Sequence, residues 1–541
     1  MARRFLTAIL SLAMAATCAA QLGMRTMDSS PAVLTPGEGR ASRALDLAKK
    51  MGAPELYALL KPMPKGADLH MHLSGAIYAE TFIAEGVQQG FCVDTHALAF
   101  VKPEAAGKCA DGQMLASDLV KNQGLYDKLI DSFSMRSFVS YAGFNGHDQF
   151  FTTFDRFGGL KNVQGQWLAE VAARAASQNE QYLEIMNTPS FDHAWDAGYK
   201  VGWPKEFNDA NHMTLLAKLR DQLFANGLRA DIAIDREELA QAMSSERGAL
   251  HCPRNAGEKP AAEPEAADSD HGCGVNIHFM YQVLRGFPPE QVFAQTLLGF
   301  ELASTNPQVV GINFVRAEDR RDAMAEYHTE MLMLDYLHSA YPNVHISLHA
   351  GELAPGMVPP EGLTFHIREA VELGHAERIG HGIDVLYENH PRELLKEMAT
   401  KHIMVEINLT SNDVILGVKG TDHPLAAYRA AGVPMALSTD DEGVSRIDLT
   451  HEYVKGAMEQ NLRYTDLKQM ARTSLEHAFL KGDSLWASED KFTARVTACA
   501  APITADSQPT PACDAVLKAS EKAAAQWELE RRFAVFESSI Q

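Results

Sequence analysis

Eight short apolar runs punctuate the chain, near residues 67–71, 182–187, 276–283, 309–315, 344–349, 377–381, 403–408 and 434–439. Within them the polar/apolar alternation of a half-exposed strand is lost, as in parallel strands covered on both faces. Between them lie segments with apolar residues at helical spacing. Eight strands separated by helices predict an α/β fold, a (β/α)8 TIM barrel whose reactive groups gather at the strands' C-terminal ends. Helical periodicity also runs from Arg43 to Leu60, before Pro62 and Pro64 break it. The interval between the first two runs is too long for one crossover helix and must hold extra ones. In it, Phe150-Phe151-Thr-Thr-Phe154-Asp-Arg-Phe157 has helical apolar spacing, either a buried face or a wall over a site.

The runs end abruptly in ionisable residues. Asp68-Leu69-His70-Met71-His72 places two imidazoles two residues apart, which on a strand aims both rings to one side. Three later runs end in His349-Ala-Gly-Glu352, in Gly380-His381-Gly382 and in Asp440-Asp441. Groups at the C-terminal ends of barrel strands share one site. His70, His72, His349 and Asp440 form a donor set for a single zinc with a coordination position left for water. Glu352 is placed to give and take protons, and His381 and Asp441 lie beside the ligands.

His-x-His-Leu-x-Gly, His-Ala-Gly-Glu, Gly-His-Gly and Thr-Asp-Asp, in this order, resemble the adenosine deaminases over about residues 60 to 480. The chain length, N-terminal signal and elaborated N-terminal half are most similar to the secreted, growth-factor-type branch. The resemblance implies one Zn2+ per chain on His70, His72, His349 and Asp440, with hydrolysis of adenosine or 2′-deoxyadenosine to inosine or 2′-deoxyinosine plus ammonia. In that scheme zinc-bound hydroxide attacks purine C6, Glu352 protonates N1, His381 orients the hydroxide, and Asp441 contacts N7. Ser74, Gly75 and Ala317 fall at substrate-contacting positions. Two of these depart from the family pattern: Ser74 stands for a sugar-contacting Asp, and Ala317, in Gly311-Ile-Asn-Phe-Val-Arg-Ala317-Glu318-Asp319, stands for a Gly. The alternatives are deamination of another 6-aminopurine, such as adenine or a modified nucleoside, or a catalytically silent extracellular binding protein on the same barrel. A two-metal amidohydrolase is disfavoured, because the fourth strand ends without a bridging Lys.

Composition changes the picture in three respects. The 541 residues are 46% hydrophobic and 22% charged, ordinary for a globular protein, but the formal charge of −21 argues against nucleic-acid or anionic-membrane binding. Met1-Ala-Arg-Arg4 followed by apolar Phe5 to Thr17 and Ala19-Ala20 reads as a secretory signal cleaved after Ala20, with lipidation at Cys18 as the alternative. The run is too short for a membrane anchor, so the expected location is periplasmic or extracellular without membrane insertion. The remaining cysteines, Cys92/Cys109, Cys252/Cys273 and Cys499/Cys513, allow about fifteen connectivities; sequential pairing is the simplest, each pair closing a short polar or Pro/Ala-rich stretch.

The resulting organisation is a signal peptide (1–20), a mobile arm followed by a helix (21–60, the arm to about residue 40), and a barrel (61–480). A disulfide-closed loop and a terminal helix from Ala515 to Ile540 complete it (481–541). Insertions fall near 88–175 and 250–274, with 253 to 272 a solvated surface segment. The expected partner is a small purine nucleoside, with homodimerisation implied by the resemblance. His345, His375 and His402 are expected to be packing or helix-end residues. Glu184, Asn408 and Asn412 are expected either to support the site as surrounding polar groups or, by default, to be satisfied polar groups of the barrel interior.

Overall fold

The computed structural model describes residues 34–105, 107–253 and 272–541; the signal segment, the first part of the arm and the interior of the 253–272 insertion lie outside the described residues. Eight parallel strands form one sheet in chain order: β1 (Gly66–His72), β2 (Glu180–Asn187), β3 (Asn276–Leu284), β4 (Val309–Val315), β5 (His345–Ala350), β6 (Arg378–His381), β7 (Met404–Ile407) and β8 (Met435–Leu437). Backbone hydrogen bonds from Asp440 N to His70 O (2.8 Å) and from His72 N to Asp440 O (3.1 Å) bring the end of β8 against β1, so the sheet closes at its C-terminal end. Each strand candidate read from the sequence coincides with a barrel strand to within a few residues.

All seven residues of β1 are buried, as are all four of β6 and of β7. Helices such as Pro289–Thr305 and Arg321–Ala340 cover the outer face. The barrel interior carries charge. Arg378 is fully buried and reaches both Glu184 (2.6 Å) and Glu406 (2.7 Å), so neither carboxylate is left uncompensated. Glu184 also accepts from Tyr182 Oη and Phe479 N, a satisfied interior group as expected.

Three local expectations are corrected. The N-terminal helix starts at Pro36, inside the stretch read as a mobile arm, because Thr35 and Glu38 form a reciprocal capping box with Pro36 at the first helical position. That helix ends at Met51, and a second runs Ala53–Leu60, the break falling at Gly52 with φ 110°. The terminal helix is likewise two, Pro511–Ala519 and Glu521–Ser539, separated at Ser520, which caps the second. The interval between β1 and β2 holds helices, as expected, and also a small antiparallel sheet (Cys92–Asp94, Ala99–Val101, Gln113–Leu115) that sequence reasoning missed. Strands of three residues are too short to show a period.

The disulfides are Cys92–Cys109, Cys252–Cys273 and Cys499–Cys513, the sequential pairing. They close segments with sequence separations of 17, 21 and 14. Loops of this size are each worth about 3 kcal/mol in the chain-entropy description. Non-reducing peptide mapping of the purified protein is expected to recover these three cross-linked pairs. Six free thiols, or a scrambled set, would contradict them.

Candidate metal and catalytic site

At the C-terminal mouth of the barrel, four donor atoms converge. His72 Nε2 lies 3.3 Å from His349 Nε2, and Asp440 Oδ1 lies 3.2 Å from His72 Nε2 and 3.4 Å from His70 Nε2. Donors on a tetrahedron about 2.0 Å from a zinc ion are separated by roughly 3.3 Å. His70 Nε2 and Asp440 Oδ1 are buried with no hydrogen-bond partner among the described residues, the state expected of atoms built to face a cation.

The remaining nitrogens are tied down. His70 Nδ1 meets Glu406 Oε2 at 2.6 Å, His72 Nδ1 meets Gln282 Oε1 at 2.8 Å, and His349 Nδ1 meets Asn313 Oδ1 at 2.8 Å. Each oxygen accepts a hydrogen bond from Nδ1–H, which leaves the Nε2 lone pair for the centre, the usual arrangement around metal-bound imidazole. Gln282 and Asn313 are register partners on β3 and β4. Ser411 Oγ donates to Asp440 Oδ2 at 2.6 Å, leaving Oδ1 for the cluster. These four supporting residues were not singled out from the sequence. For Gln282, Asn313 and Glu406 the signal was a single polar residue in an apolar strand, as in Phe-Met-Tyr-Gln282-Val; Ser411 lies in the helix Leu409–Leu416 that follows β7.

Electrostatics favour a cation. Burial pushes the His70 imidazole down, but the carboxylates of Asp440 and Glu406 beside it outweigh that and carry its pKa up to about 10. Burial, reinforced by the neighbouring imidazoles, holds His349 well below its ordinary value and so neutral. Around this centre the carboxyls divide. Burial pushes Glu352 well above the carboxylate range, helped by the charges of Asp440 and Glu318. Asp441 is raised by burial and by Asp440 beside it, whereas Asp440 is held well below by its histidine partners despite burial. Neighbouring carboxyls pushed apart in this way are suited to different roles, Asp440 as the anion and Glu352 and Asp441 as groups that favour their protons.

A cavity of about 450 Å³ opens onto the cluster, with Ser74, Ala317, His349, Glu352, Asp440 and Asp441 in its wall. Phe150, Phe151 and Phe154, from helix Gly146–Phe157, also line it, while Phe157 turns into the core and stacks on Phe82. The aromatic run is therefore a wall along part of its length and a core face along the rest. The left-handed backbone near Ala317 falls on Arg316, φ 86°, so the Ala side chain meets no conformational penalty. At Gly75 the missing Cβ leaves room for the Asp441 carboxylate, which would otherwise overlap it. Gly380 similarly clears the His70 ring, since a Cβ there would lie 2.5 Å from its Cε1.

His381 and Asp440 both adopt left-handed backbone, φ 67° and 62°, a strained conformation that surrounding structure must hold. His381 Nε2 lies 3.7 Å from Glu352 Oε1. Its Nδ1 lies 2.9 Å from Asn412 Nδ2 and 3.5 Å from Asn408 Nδ2, so these amides serve the site rather than only the barrel interior, which corrects the default expectation for them. His345, His375 and His402 pair with Glu377, Asp335 and Asp490 away from the cluster, as packing residues should.

Residues 264–492 match the family described as Adenosine deaminase. A curated adenosine deaminase of Salmonella schwarzengrund (strain CVM19633) is 38% identical over 151 residues, 28% of this chain and 42% of that protein. The chain thus aligns with less than half the length of that relative. Among solved structures, an adenine deaminase from Arthrobacter aurescens is 15% identical with a TM-score of 0.47, covering 78% of this chain and 95% of the other. The apo N6-methyl-AMP deaminase of Arabidopsis thaliana is 18% identical with a TM-score of 0.48, covering 79% and 94%. Likenesses at this level bear on neither substrate nor mechanism.

Proposed function

We propose that the chain is, through residues 264–492, a member of the adenosine deaminase family, and that it is a zinc-dependent hydrolase converting adenosine and 2′-deoxyadenosine to the 6-oxo nucleosides plus ammonia. The observation that carries the reading is the run of contacts at 3.2–3.4 Å that links His349 Nε2, His72 Nε2, Asp440 Oδ1 and His70 Nε2, beside two carboxyls, Glu352 and Asp441, that burial pushes well above the carboxylate range. His70, His72, His349 and Asp440 would hold one zinc. Bound there, zinc would lower the pKa of a water molecule to about 7 and so supply a nucleophile at neutral pH.

The chain's own groups do the rest. Glu352, kept protonated by burial, gives its proton to purine N1 and draws electrons from C6. His381 directs a hydrogen bond from Nε2 toward the oxygen that adds to C6. Asp441, also protonated, donates to N7. The C6–N6 bond then breaks, the amine leaves as ammonia with protons relayed through Glu352, and C6 keeps the oxygen. Gly75 acts here by making room for Asp441. Ser74 and Ala317 contact the substrate from the wall, and the Phe150, Phe151 and Phe154 face covers the base.

Export belongs to the same proposal: the disulfides fit an oxidising compartment, and no helix among the described residues is long and apolar enough to cross a membrane. Homodimerisation is carried with it.

A second reading, another 6-aminopurine as substrate, is favoured by two observations on the cavity wall. Ser74 offers no carboxylate to a sugar, and Arg316 has no carboxylate within 4.0 Å among the described residues. A spectrophotometric panel of adenosine, 2′-deoxyadenosine, adenine and AMP with the zinc-loaded protein decides between them. The nucleosides are expected to show the largest kcat/KM. A larger value for adenine or AMP would move the assignment to the second reading, and no deamination of any would refute both.

A further inference from the structure

Behind His381 runs a hydrogen-bond chain whose directions are all set from one end. Leu425 N–H donates to His423 Nδ1 at 3.1 Å. A backbone amide can only donate, so His423 Nδ1 must be the lone-pair nitrogen, and a neutral His423 carries its proton on Nε2. His423 Nε2 lies 3.2 Å from Asn412, which must therefore turn its Oδ1 that way to accept. The Asn412 amide nitrogen is then left facing His381 Nδ1 at 2.9 Å, where it can only donate. His381 Nδ1 is consequently an acceptor, and its proton sits on Nε2.

We propose that His423 and Asn412 are positioning residues that fix His381 as the Nε2–H tautomer, with the Leu425 backbone amide as the invariant donor that starts the chain. Neither His423 nor Asn412 lines the cavity, and both are buried, at 2% and 0% exposure, so solvent does not compete for their hydrogen bonds. Pro424, between His423 and the helix Leu425–Ala431, has no N–H of its own, which leaves the Leu425 amide as the local donor.

The chain also explains why His381 differs from the three clustered histidines. It offers one of a group of potential ligand atoms formed with His70, His349 and Asp440, all within 4.8 Å of one another. The ligand histidines face oxygen acceptors through Nδ1 and so present a bare Nε2; His381 faces an amide donor and so presents N–H. One hydrogen-bond reversal behind the ring thus separates a ligand from a hydrogen-bond donor. The catalytic consequence rests on the proposed deaminase reading; the tautomer does not.

Neutron diffraction from deuterium-exchanged crystals of the zinc-loaded protein reads the tautomer directly. Deuterium is expected on Nε2 and absent from Nδ1 in both His381 and His423; deuterium on His381 Nδ1 would overturn the proposal. Asn412→Asp keeps the shape but offers only acceptors, so deuterium should appear on His381 Nδ1. In that variant kcat should fall by about a hundredfold or more, with KM and zinc content nearly unchanged. His423→Leu should also lower kcat, and His423→Gln, which restores a donor near the Nε2 position, should recover most of the loss. An Asn412→Asp variant with wild-type kcat, or equal losses in the Leu and Gln variants of His423, would contradict it. A wild-type protein inert toward every purine tested would refute the deaminase reading, while the neutron map would still decide the tautomer.

Discussion

Replacing Glu352 with Gln is expected to abolish most turnover while zinc stays bound. Gln keeps the volume and the hydrogen-bonding reach of Glu but has no proton to deliver to N1. Glu352 is not among the four atoms that converge at 3.2–3.4 Å, so the donor set survives the change. The Glu352 backbone N–H still donates to Glu318 at 2.7 Å, which holds the loop in place. General acid–base groups contribute roughly 10²–10⁴-fold, and the loss should appear in kcat, because the proton transfer belongs to the transition state. Steady-state kinetics with metal analysis on the same preparation test this. Near-wild-type deamination by the Gln variant would remove Glu352 from the mechanism, and loss of zinc would make its role structural.

Asp440→Ala is expected to have the opposite signature: metal content and activity fall together. The substitution removes the carboxylate of the proposed donor set, strips Ser411 of its acceptor, and leaves the three imidazoles without their shared anionic partner. Outer-shell partners of zinc alone are worth about 10–100-fold in affinity or activity, so the loss of a direct ligand should exceed that. Zinc should be recovered at well below one equivalent after dialysis, with turnover reduced in proportion. A variant that kept both full zinc and full kcat would exclude Asp440 from the donor set.

The barrel was legible because its strands are buried on both faces, which writes each as an apolar run with a chemical group at its end. The proposed ligands His70, His72, His349 and Asp440 stood out for the same reason: an imidazole or carboxylate closing such a run has few structural explanations. Their supports were harder to read. Gln282, Asn313 and Glu406 are single polar letters inside strands, and only the register that sets Gln282 beside Asn313 shows that they serve histidines from other strands. His423 lies in a turn whose spacing carries no period, so its tie to His381 through Asn412 emerges only in three dimensions. The start of the first helix was misplaced for a different reason: the Pro and Gly content that suggests a loose arm also contains Thr35-Pro36 and Glu38, a helix-initiating signal.

Titrating zinc into metal-free protein while following conversion of adenosine to inosine and ammonia tests the central claim most directly. A single zinc held by His70, His72, His349 and Asp440 predicts no turnover at the start and a linear rise that stops at one zinc per chain. Full activity without metal, a break at two equivalents, or no inosine at any zinc level would contradict it.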